Sequence, residues 1–233
     1  MALVLRPYGL RGPVRARIGG STMNLRVFEI FRSLQGESTR AGQPCVFVRL
    51  AGCDVGCRYC DTPQARDPAA GRDLTLEAVC AEVERLALPL VEITGGEPLL
   101  QRDAVGQLAA RLLARDQTVM LETSGCLPVA GLDARLEIIM DVKTPASGAA
   151  RPLSAENLSL LDANDEVKFV IADRADYDWS RRFVAKHDLS RLRAVHFSPA
   201  FGFLEARQLA AWMHADRPPA RLAVQLHKLL GVP

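Results

Sequence analysis

Three cysteines lie close together in the chain, at Cys53, Cys57 and Cys60, with the spacing C-x3-C-x2-C. Two glycines in the same stretch let the backbone fold tightly around a compact group on which the thiolates converge. A zinc site or a four-cysteine cluster would need a fourth Cys or His ligand, and none lies in this stretch. Three thiolates on a [4Fe-4S] cluster leave one iron free to bind a small molecule. The spacing therefore favours such a cluster, with a zinc site completed by a distant His as the alternative.

The chain around these cysteines has the pattern of an α/β protein. Short apolar runs rich in β-branched residues alternate with amphipathic helices, one behind Thr75 as its N-cap and another with an apolar stripe over residues 104–113. This alternation predicts right-handed βαβ units and a mostly parallel sheet, either doubly wound or curled into a full or partial barrel. The strands are predicted at Leu25–Phe31, Cys45–Leu50, Leu90–Ile93, Val119–Leu121, Leu136–Met140, Glu166–Ile171, Ala194–Phe197 and Arg221–Leu226.

Polar clusters follow six of these predicted strands. In parallel α/β folds ligands bind at the carboxyl ends of the strands, so we expect the functional site at this edge of the sheet. The clusters are Ala51-Gly52-Cys53, Thr94-Gly95-Gly96-Glu97-Pro98, Glu122-Thr123-Ser124-Gly125, Asp141-Val142-Lys143, Ser198-Pro199 and His227-Lys228.

The composition fits one globular domain. The chain has 233 residues, 48% of them hydrophobic and 24% charged, so it can bury about 70% of its unfolded surface. No run approaches the ~18 consecutive apolar residues that span a bilayer, and no signal peptide is recognisable, so we expect a cytoplasmic protein. The net charge of +2 favours a small ligand over a nucleic acid. A domain of this size needs no disulfide framework, which is consistent with a reducing compartment.

Two motifs resemble the signatures of the radical S-adenosylmethionine superfamily. The first is Cys53-Asp54-Val55-Gly56-Cys57-Arg58-Tyr59-Cys60, with an aromatic residue before the last cysteine, and the second is Thr94-Gly95-Gly96-Glu97-Pro98. The resemblance implies a single-domain partial (β/α) barrel with a mostly parallel sheet, in which the free iron of a [4Fe-4S] cluster chelates S-adenosylmethionine. It further implies that reduction of the cluster cleaves this cofactor to a 5′-deoxyadenosyl radical.

Further segments narrow the resemblance to one family. Ser33-Leu34-Gln35-Gly36-Glu37, Arg49, Cys60-Asp61-Thr62 and Gln225-Leu226-His227-Lys228 are similar to segments of the 7-carboxy-7-deazaguanine synthase family, over about residues 23–233. The resemblance implies a carbon–nitrogen lyase of queuosine and deazapurine biosynthesis. Such an enzyme converts 6-carboxy-5,6,7,8-tetrahydropterin to 7-carboxy-7-deazaguanine by radical ring contraction with loss of ammonia. No catalytic residue beyond the cofactor radical is implied.

Several residues suit a pterin substrate. Gln35 and Glu37 offer an amide and a carboxylate to the donor and acceptor edge of a pterin, and Arg49 offers a planar cation to its carboxylate. Resemblance makes Thr62 a Mg²⁺ ligand, whereas the residue type alone favours an N-cap or turn beside a proline. By resemblance the substrate pocket is completed by Leu34, Gly36, Thr94, His227 and the terminal carboxylate of Pro233.

The resemblance also assigns residues to S-adenosylmethionine. Among them Glu97 can accept a hydrogen bond from an ammonium group. A solvated surface charge is the plain alternative for Lys143, and a turn before Gly125 is the alternative for Ser124. The assigned residues are Tyr59, Asp61, Gly96, Glu97, Ser124, Asp141, Val142, Lys143, His196, Phe197, Ser198 and Pro199.

The amino-terminal residues differ from the rest of the chain. Residues 1–22 carry four arginines, no acidic residue, and Gly and Pro that interrupt every apolar run. We expect a disordered basic arm here and a radical S-adenosylmethionine catalytic domain over residues 23–233. A tail that binds a polyanion is one alternative, and translation from Met23 is the more strongly favoured one.

Two other functions remain open at this point. An activating enzyme for a glycyl-radical protein shares both signatures but acts on a protein backbone, which gives no reason for Gln35, Glu37 and Arg49 to surround the cluster. A non-catalytic metal or electron-transfer module is the second alternative. The family suggests a homodimer and a flavodoxin as reductant. We expect neither a nucleic acid nor a membrane as a partner.

Overall fold

The computed structural model describes residues 23–233, and the basic arm predicted over residues 1–22 lies outside them. Within the described residues the chain forms nine strands and six α-helices. The strands are β1 (Asn24–Leu34), β2 (Pro44–Leu50), β3 (Arg72–Thr75), β4 (Leu90–Gly95), β5 (Thr118–Thr123), β6 (Glu137–Asp141), β7 (Glu166–Ile171), β8 (Ala194–Pro199) and β9 (Arg221–Leu222). The helices are α1 (Leu76–Leu86), α2 (Arg102–Leu113), α3 (Asn157–Leu160), α4 (Arg174–His187), α5 (Ala206–Asp216) and α6 (Leu226–Leu230).

All nine strands form one sheet in the order β3-β1-β2-β4-β5-β6-β7-β8-β9. Neighbouring strands are parallel from β2 to β9, and β1 pairs antiparallel with both β2 and β3. Each strand from β4 onward is added on the same side of the strand before it, whereas a doubly wound sheet reverses direction. The edge strands β3 and β9 do not pair, so the sheet curls without closing. The fold is therefore the predicted partial barrel.

The two faces of this sheet bury different side chains. On β4, Val91 and Ile93 pack into the large core beneath the helices, whereas Glu92 and Thr94 line the inside of the barrel. Successive residues of a strand point to opposite faces, so the inner face can carry polar groups without disturbing the outer core. A small apolar cluster fills part of the interior and consists of Cys45, Phe47, Leu90, Met120 and Ile139.

Local signals place α1 as predicted. The Thr75 hydroxyl accepts a hydrogen bond from the Ala78 amide at 3.1 Å and caps the helix, and the chain leaves it at Ala87 with a φ of 53°. Cys80 on this helix is buried in the core.

Each of the eight predicted strands is present, with two differences. The strand predicted over Arg221–Leu226 is wrong beyond Leu222, because the chain turns into α6 at Leu226. The edge strand β3 was not predicted, since its sequence Arg-Asp-Leu-Thr lacks an apolar alternation. No helix in the part of the chain from residue 23 onward is long and apolar enough to cross a lipid bilayer.

Candidate active site

A cavity of about 430 Å³ opens inside the barrel. Its walls come from the inner faces of β1, β2 and β4 to β7, from the cysteine loop, from the loop between β1 and β2, and from α6 with the residues after it. The predicted site residues that line it are Leu34, Gln35, Gly36, Glu37, Arg49, Cys53, Cys57, Tyr59, Cys60, Asp61, Thr62, Thr94, Gly96, Ser124, Asp141, Lys143, His227 and Pro233.

The cysteine loop is held to the rest of the fold by backbone hydrogen bonds. The Cys53 amide donates to the Arg66 carbonyl at 3.0 Å, and the Arg58 amide donates to the Ser147 carbonyl at 2.8 Å. All three thiols are free. Within residues 23–233 no three His, Cys, Asp or Glu side chains already stand at metal-binding spacing. Three thiols on one cavity wall are nevertheless the donor set that fits a [4Fe-4S] cluster with one open iron.

Gly96 packs directly against the start of the cysteine loop. A Cβ atom at Gly96 would lie 2.1 Å from the Gly52 oxygen and 2.9 Å from the Cys53 Cβ, which the fold could not accommodate without movement. The Glu97 amide also donates to the Gly52 carbonyl at 2.8 Å. The Gly-Gly pair is therefore required for packing the second signature against the first, whatever approach to a ligand it also permits.

Glu97 lies behind the cavity wall. Its carboxylate accepts hydrogen bonds from the Thr123 hydroxyl at 2.7 Å, the Leu99 amide at 3.0 Å, and the Ser124 amide and hydroxyl at 2.9 and 2.5 Å. A cofactor ammonium would have to compete with these donors, so the predicted contact of Glu97 stays a prediction. Its visible role is to fix Ser124, which does line the cavity.

Lys143 and Asp141 form an ion pair on the cavity wall, with 2.8 Å between Nζ and Oδ2. Burial acts to lower the pKa of Lys143, but the Asp141 carboxylate and Cys57 together outweigh it and the pKa is raised. Burial acts to raise the pKa of Asp141, but Lys143 and Lys168 lower it below its usual value. The alternative of a solvated surface charge is therefore wrong for Lys143, whose side chain is 19% exposed.

Tyr59 lines the cavity beside the last cysteine. Its hydroxyl donates to the Val170 carbonyl at 3.0 Å and lies 3.0 Å from the Thr144 hydroxyl. Burial raises the pKa of the Tyr59 phenol. The ring is thus fixed as a neutral, partly buried surface next to Cys60.

Several predicted cofactor residues lie outside the cavity lining. Val142 is buried in the outer core, and its amide donates to the Lys168 carbonyl at 2.8 Å. His196 places Nε2 2.6 Å from a Glu166 carboxylate oxygen, and Glu166 also accepts from the Thr39 amide at 3.0 Å. Their assignment to the cofactor stays a prediction. The residues concerned, besides Glu97, are Val142, His196, Phe197, Ser198 and Pro199.

The loop between β1 and β2 is folded back on itself and carries Gln35 and Glu37 into the cavity. The Gln35 amide and carbonyl bond the Gln43 carbonyl and the Gly42 amide, each at 2.8 Å. The Gln35 side chain is also used internally, because Oε1 accepts from the Glu37 amide at 2.7 Å and Nε2 donates to Glu92. Gln35 therefore holds the loop, and its predicted contact with a substrate stays a prediction.

Helix α6 packs onto this loop. The Leu226 amide donates to the Gly36 carbonyl at 2.9 Å, and a Cβ atom at Gly36 would lie 2.0 Å from His227 Nδ1. The Ser33 hydroxyl donates to a Pro233 oxygen at 2.5 Å. Burial lowers the pKa of His227. Residues near both ends of the described chain therefore meet at one side of the cavity, where a side chain at position 36 would displace the His227 ring.

Arg49 lies between a carboxylate and a hydroxyl on the cavity wall. Its Nε donates to Glu29 at 2.8 Å, its Nη1 donates to the Thr62 hydroxyl at 3.2 Å, and its guanidinium lies 5.6 Å from the centre of the Phe31 ring. The Thr62 hydroxyl is also 3.0 Å from an Asp61 carboxylate oxygen. Thr62 does stand at the N-cap position of the short helix that follows it, and its carbonyl accepts a hydrogen bond from the Ala65 amide at 3.1 Å, but its hydroxyl makes no capping hydrogen bond.

A buried lysine that the sequence analysis did not identify lies at the centre of the cavity wall. Lys168 contacts Glu37 at 2.6 Å, Asp141 at 3.6 Å and Glu122 more closely still. Burial acts to lower the pKa of Lys168, but Glu122, Glu37 and Asp141 outweigh it and raise the pKa well above its usual value. The signal in the sequence is a charged residue between apolar neighbours inside a strand, as in Val167-Lys168-Phe169.

Glu92 carries the same signal on β4 and was also missed. Its side chain is buried, lines the cavity, and accepts the hydrogen bond from Gln35. Burial, with the nearby Glu122 carboxylate, raises the pKa of Glu92 well above its usual value. Burial therefore favours the neutral form of Glu92.

Comparison with known proteins identifies the family of this chain. A family model described as the Radical SAM superfamily matches residues 48–187. The 7-carboxy-7-deazaguanine synthase of Chlorobaculum tepidum is 46% identical over 212 residues, which are 90% of this chain and 95% of that protein. The 7-carboxy-7-deazaguanine synthase of Koribacter versatilis is 41% identical over 223 residues, which are 90% of this chain and 98% of that protein.

The fold has a matching solved structure. A crystal structure of QueE from Escherichia coli superposes with a TM-score of 0.70 at 24% identity, covering 88% of this chain and 95% of that one. The matched family model spans both signatures, and superfamily membership implies a [4Fe-4S] cluster and S-adenosylmethionine as cofactors. With relatives above 40% identity over nearly their whole length, the chain belongs to the 7-carboxy-7-deazaguanine synthase family of the radical S-adenosylmethionine superfamily.

Proposed function

We propose that the protein converts 6-carboxy-5,6,7,8-tetrahydropterin to 7-carboxy-7-deazaguanine with loss of ammonia, by radical chemistry. The observation that carries this proposal is the sharing of one cavity by three free thiols, a guanidinium and a wall of carboxylates. The thiols suit the cluster, the guanidinium suits the substrate carboxylate, and the carboxylates suit the N–H groups of a pterin. The names of the relatives support the same reaction.

Cys53, Cys57 and Cys60 would hold the cluster. Gly96, Ser124 and Lys143, together with Tyr59, Asp61 and Asp141, line the same cavity and would bind S-adenosylmethionine. When bound there, the cluster and S-adenosylmethionine would supply the radical chemistry, a 5′-deoxyadenosyl radical able to take a hydrogen atom from the substrate. Lys143 stays charged because Asp141 raises its pKa, so it can hold a polar group of the cofactor in the low-dielectric wall.

The substrate would lie between Arg49 and the loop that carries Glu37. Arg49 is fixed by Glu29 and by stacking near Phe31, which sets its planar fork toward the cavity for a carboxylate. Glu37 Oε1 is buried without a hydrogen-bond partner, so an N–H group of the pterin would satisfy it. Thr94, His227 and Pro233 with the backbone of residues 34–36 would complete the enclosure.

Thr62 would be a ligand of Mg²⁺. The neutral Thr62 hydroxyl lies 3.0 Å from an Asp61 oxygen and beside Arg49, so oxygen donors for a hard cation stand where the substrate carboxylate is expected. The ion would fix the carboxylate and help Arg49 to neutralise it.

The alternatives are not favoured. A non-catalytic metal module has no use for a cavity of about 430 Å³ that is lined by Arg49 and Glu37. A glycyl-radical activating enzyme needs access for a protein backbone, whereas α6 covers the loop that carries Gly36. A flavodoxin as the reductant, a homodimer as the assembly and the cytoplasm as the location remain our proposals from the family.

The test is an anaerobic reaction of the reconstituted protein with S-adenosylmethionine, a reductant, Mg²⁺ and the tetrahydropterin, followed by mass spectrometry. We expect 7-carboxy-7-deazaguanine and ammonia only when every component is present. Formation of 5′-deoxyadenosine without this product would support the radical chemistry but contradict the proposed substrate. A colourless protein with one tightly bound zinc would contradict both.

A further inference from the structure

The cluster around Lys168 is short of hydrogen-bond donors. One ammonium contacts three carboxylates that come from three different parts of the chain: Glu37 from the loop after β1, Glu122 from β5 and Asp141 from β6. Two buried oxygens of this cluster, Glu37 Oε1 and Asp141 Oδ1, have no hydrogen-bond partner. A buried carboxylate without a full set of donors costs free energy, so the arrangement indicates a ligand that brings donors.

Glu122 differs from the other two carboxylates in its access to the cavity. Its side chain is 26% exposed, against 13% for Glu37 and 10% for Asp141. Asp141 is also tied to Lys143, and Glu37 is tied to the Gln35 loop through its amide. Glu122 has one oxygen on Lys168 and the other 3.3 Å from the Thr94 hydroxyl, a long contact that a substrate group can replace.

We propose that Glu122 is a catalytic residue that carries the proton in the loss of ammonia, and that Lys168 is the positioning residue that holds it. This inference rests on the proposed function. The Lys168 ammonium keeps several carboxylates together in one small cavity, which their mutual repulsion would otherwise prevent. It also fixes the direction of the Glu122 carboxylate toward the cavity.

The proton transfer balances without any further reagent. After ring contraction, the nitrogen to be lost is an amine on a ring carbon. Its loss breaks the C–N bond and a C–H bond on the neighbouring carbon, and a C–C double bond forms. The proton passes from carbon to the Glu122 carboxylate and from there to the nitrogen, which leaves with its electron pair as ammonia. No electron enters or leaves in this step.

The first experiment compares the reconstituted wild-type holoenzyme with Glu122→Gln, which keeps the size of the side chain and removes its basicity. We expect kcat for the deazaguanine to fall about 10²- to 10⁴-fold, with little change in the affinity for the tetrahydropterin. Because the radical step precedes ammonia loss, hydrogen transfer from deuterated substrate into 5′-deoxyadenosine should persist. An isomer of the substrate that retains the nitrogen should then accumulate and be visible by chromatography with mass detection.

The second experiment asks whether Lys168 acts through Glu122. We compare Lys168→Met, Glu122→Gln and the double variant, and expect the double variant to lose no more activity than the worse single variant. Arg193→Gln is the matched control, because it breaks an ion pair of 2.8 Å with Glu137 elsewhere in the sheet and should leave kcat unchanged. Thermal unfolding of each unloaded protein reports whether it is folded.

The outcomes separate this inference from the proposed function. If the wild-type protein forms no deazaguanine from the tetrahydropterin, the proposed function fails and the inference fails with it. If the wild-type protein forms product and Glu122→Gln forms it equally fast, only the inference is overturned. A slow Glu122→Gln variant that accumulates no nitrogen-retaining isomer also overturns it, as do additive losses in the double variant. If Lys168→Met does not fold, the Glu122→Gln result decides.

Discussion

Glu137 and Lys168 each lie at the centre of a charge cluster in the same sheet, with opposite proportions of charge. Glu137, at the start of β6, is one carboxylate between two guanidinium groups, 2.6 Å from Arg40 Nη2 and 2.8 Å from Arg193 Nη1. Lys168, within β7, is one ammonium among three carboxylates. The first cluster has more donors than its carboxylate needs, and the second has more acceptors than its lysine can serve.

The difference indicates what each cluster is for. Burial acts to raise the pKa of Glu137, but hydrogen bonds from Arg40 and Arg193 outweigh it and lower the pKa. That cluster is complete within the protein and contributes to stability. The Lys168 cluster leaves buried oxygens of Glu37 and Asp141 without partners. A cluster that the protein leaves incomplete beside a cavity is one that a ligand completes.

The largest effect on activity is expected from substitution of a cysteine that lines the cavity, compared with a cysteine in the core. Cys57→Ala should abolish formation of 5′-deoxyadenosine and the visible absorbance of the reconstituted cluster, because two thiolates cannot hold it. Cys80→Ala is the matched control, since Cys80 is buried in the outer core on α1 and should leave both signals unchanged. Retained cofactor cleavage in Cys57→Ala would contradict the cluster assignment.

Substitution of Arg49 tests whether the cavity binds the carboxylate of the substrate. Arg49→Ala should weaken binding of the tetrahydropterin by about 2 to 5 kcal/mol, because the substrate carboxylate loses its cation in a partly buried site. Uncoupled cleavage of S-adenosylmethionine should continue. The control is Arg85→Ala, which removes an exposed ion pair of 2.7 Å with Glu82 on α1. Equal affinity in Arg49→Ala and wild type, measured by calorimetry, would exclude the carboxylate role.

Glu137 tests the complete cluster. Glu137→Gln leaves two guanidinium groups without a charged partner and should lower the free energy of unfolding by about 2 kcal/mol, without changing kcat. Since the folded protein holds the pKa of Glu137 below its ordinary 4.5, this contribution is present above pH 4.5 and is lost as the pH falls through the folded value. Urea unfolding at pH 7 and pH 3 measures it. A fall in kcat with unchanged stability would contradict the assignment of the Glu137 cluster to stability.

Much of this arrangement could be predicted from the sequence because it follows local rules. The apolar strands, the Thr75 cap and the two signatures depend on neighbouring residues. The cysteines, Arg49 and Lys143 were predicted at the site and do line the cavity. Their roles toward ligands remain predictions.

What could not be predicted depends on which face a strand residue occupies. Glu97 and Glu92 are both buried carboxylates on or just after β4, but only Glu92 lines the cavity, whereas Glu97 is bonded to Thr123 and Ser124 of its lining. Periodicity gives alternation without saying which face is inside a curled sheet. Lys168 was missed because periodicity does not show that it faces the cavity. Its three partners also come from distant parts of the chain.

Substitution of Glu92 is expected to have the smallest effect, a pH-dependent change in stability whose sign is opposite to that at Glu137. Like Glu137 it is a buried Glu in the sheet, but its pKa is raised above the ordinary 4.5, mainly by burial. The folded protein therefore binds this proton more tightly than the unfolded chain does. The contribution to stability is complete below pH 4.5 and is lost as the pH rises toward the folded pKa.

Glu92→Gln replaces the neutral acid by a neutral amide that can still accept the Gln35 hydrogen bond. At pH 4 the variant and the wild type should have similar free energies of unfolding. At pH 8 the variant should be more stable by about 1 kcal/mol, since the unfolded variant gains nothing from ionisation. The same substitution thus stabilises at Glu92 and destabilises at Glu137. Urea titrations of both variants across this pH range measure the sign, and a destabilised Glu92→Gln at pH 8 would mean that Glu92 is ionised and belongs among the carboxylates that Lys168 holds.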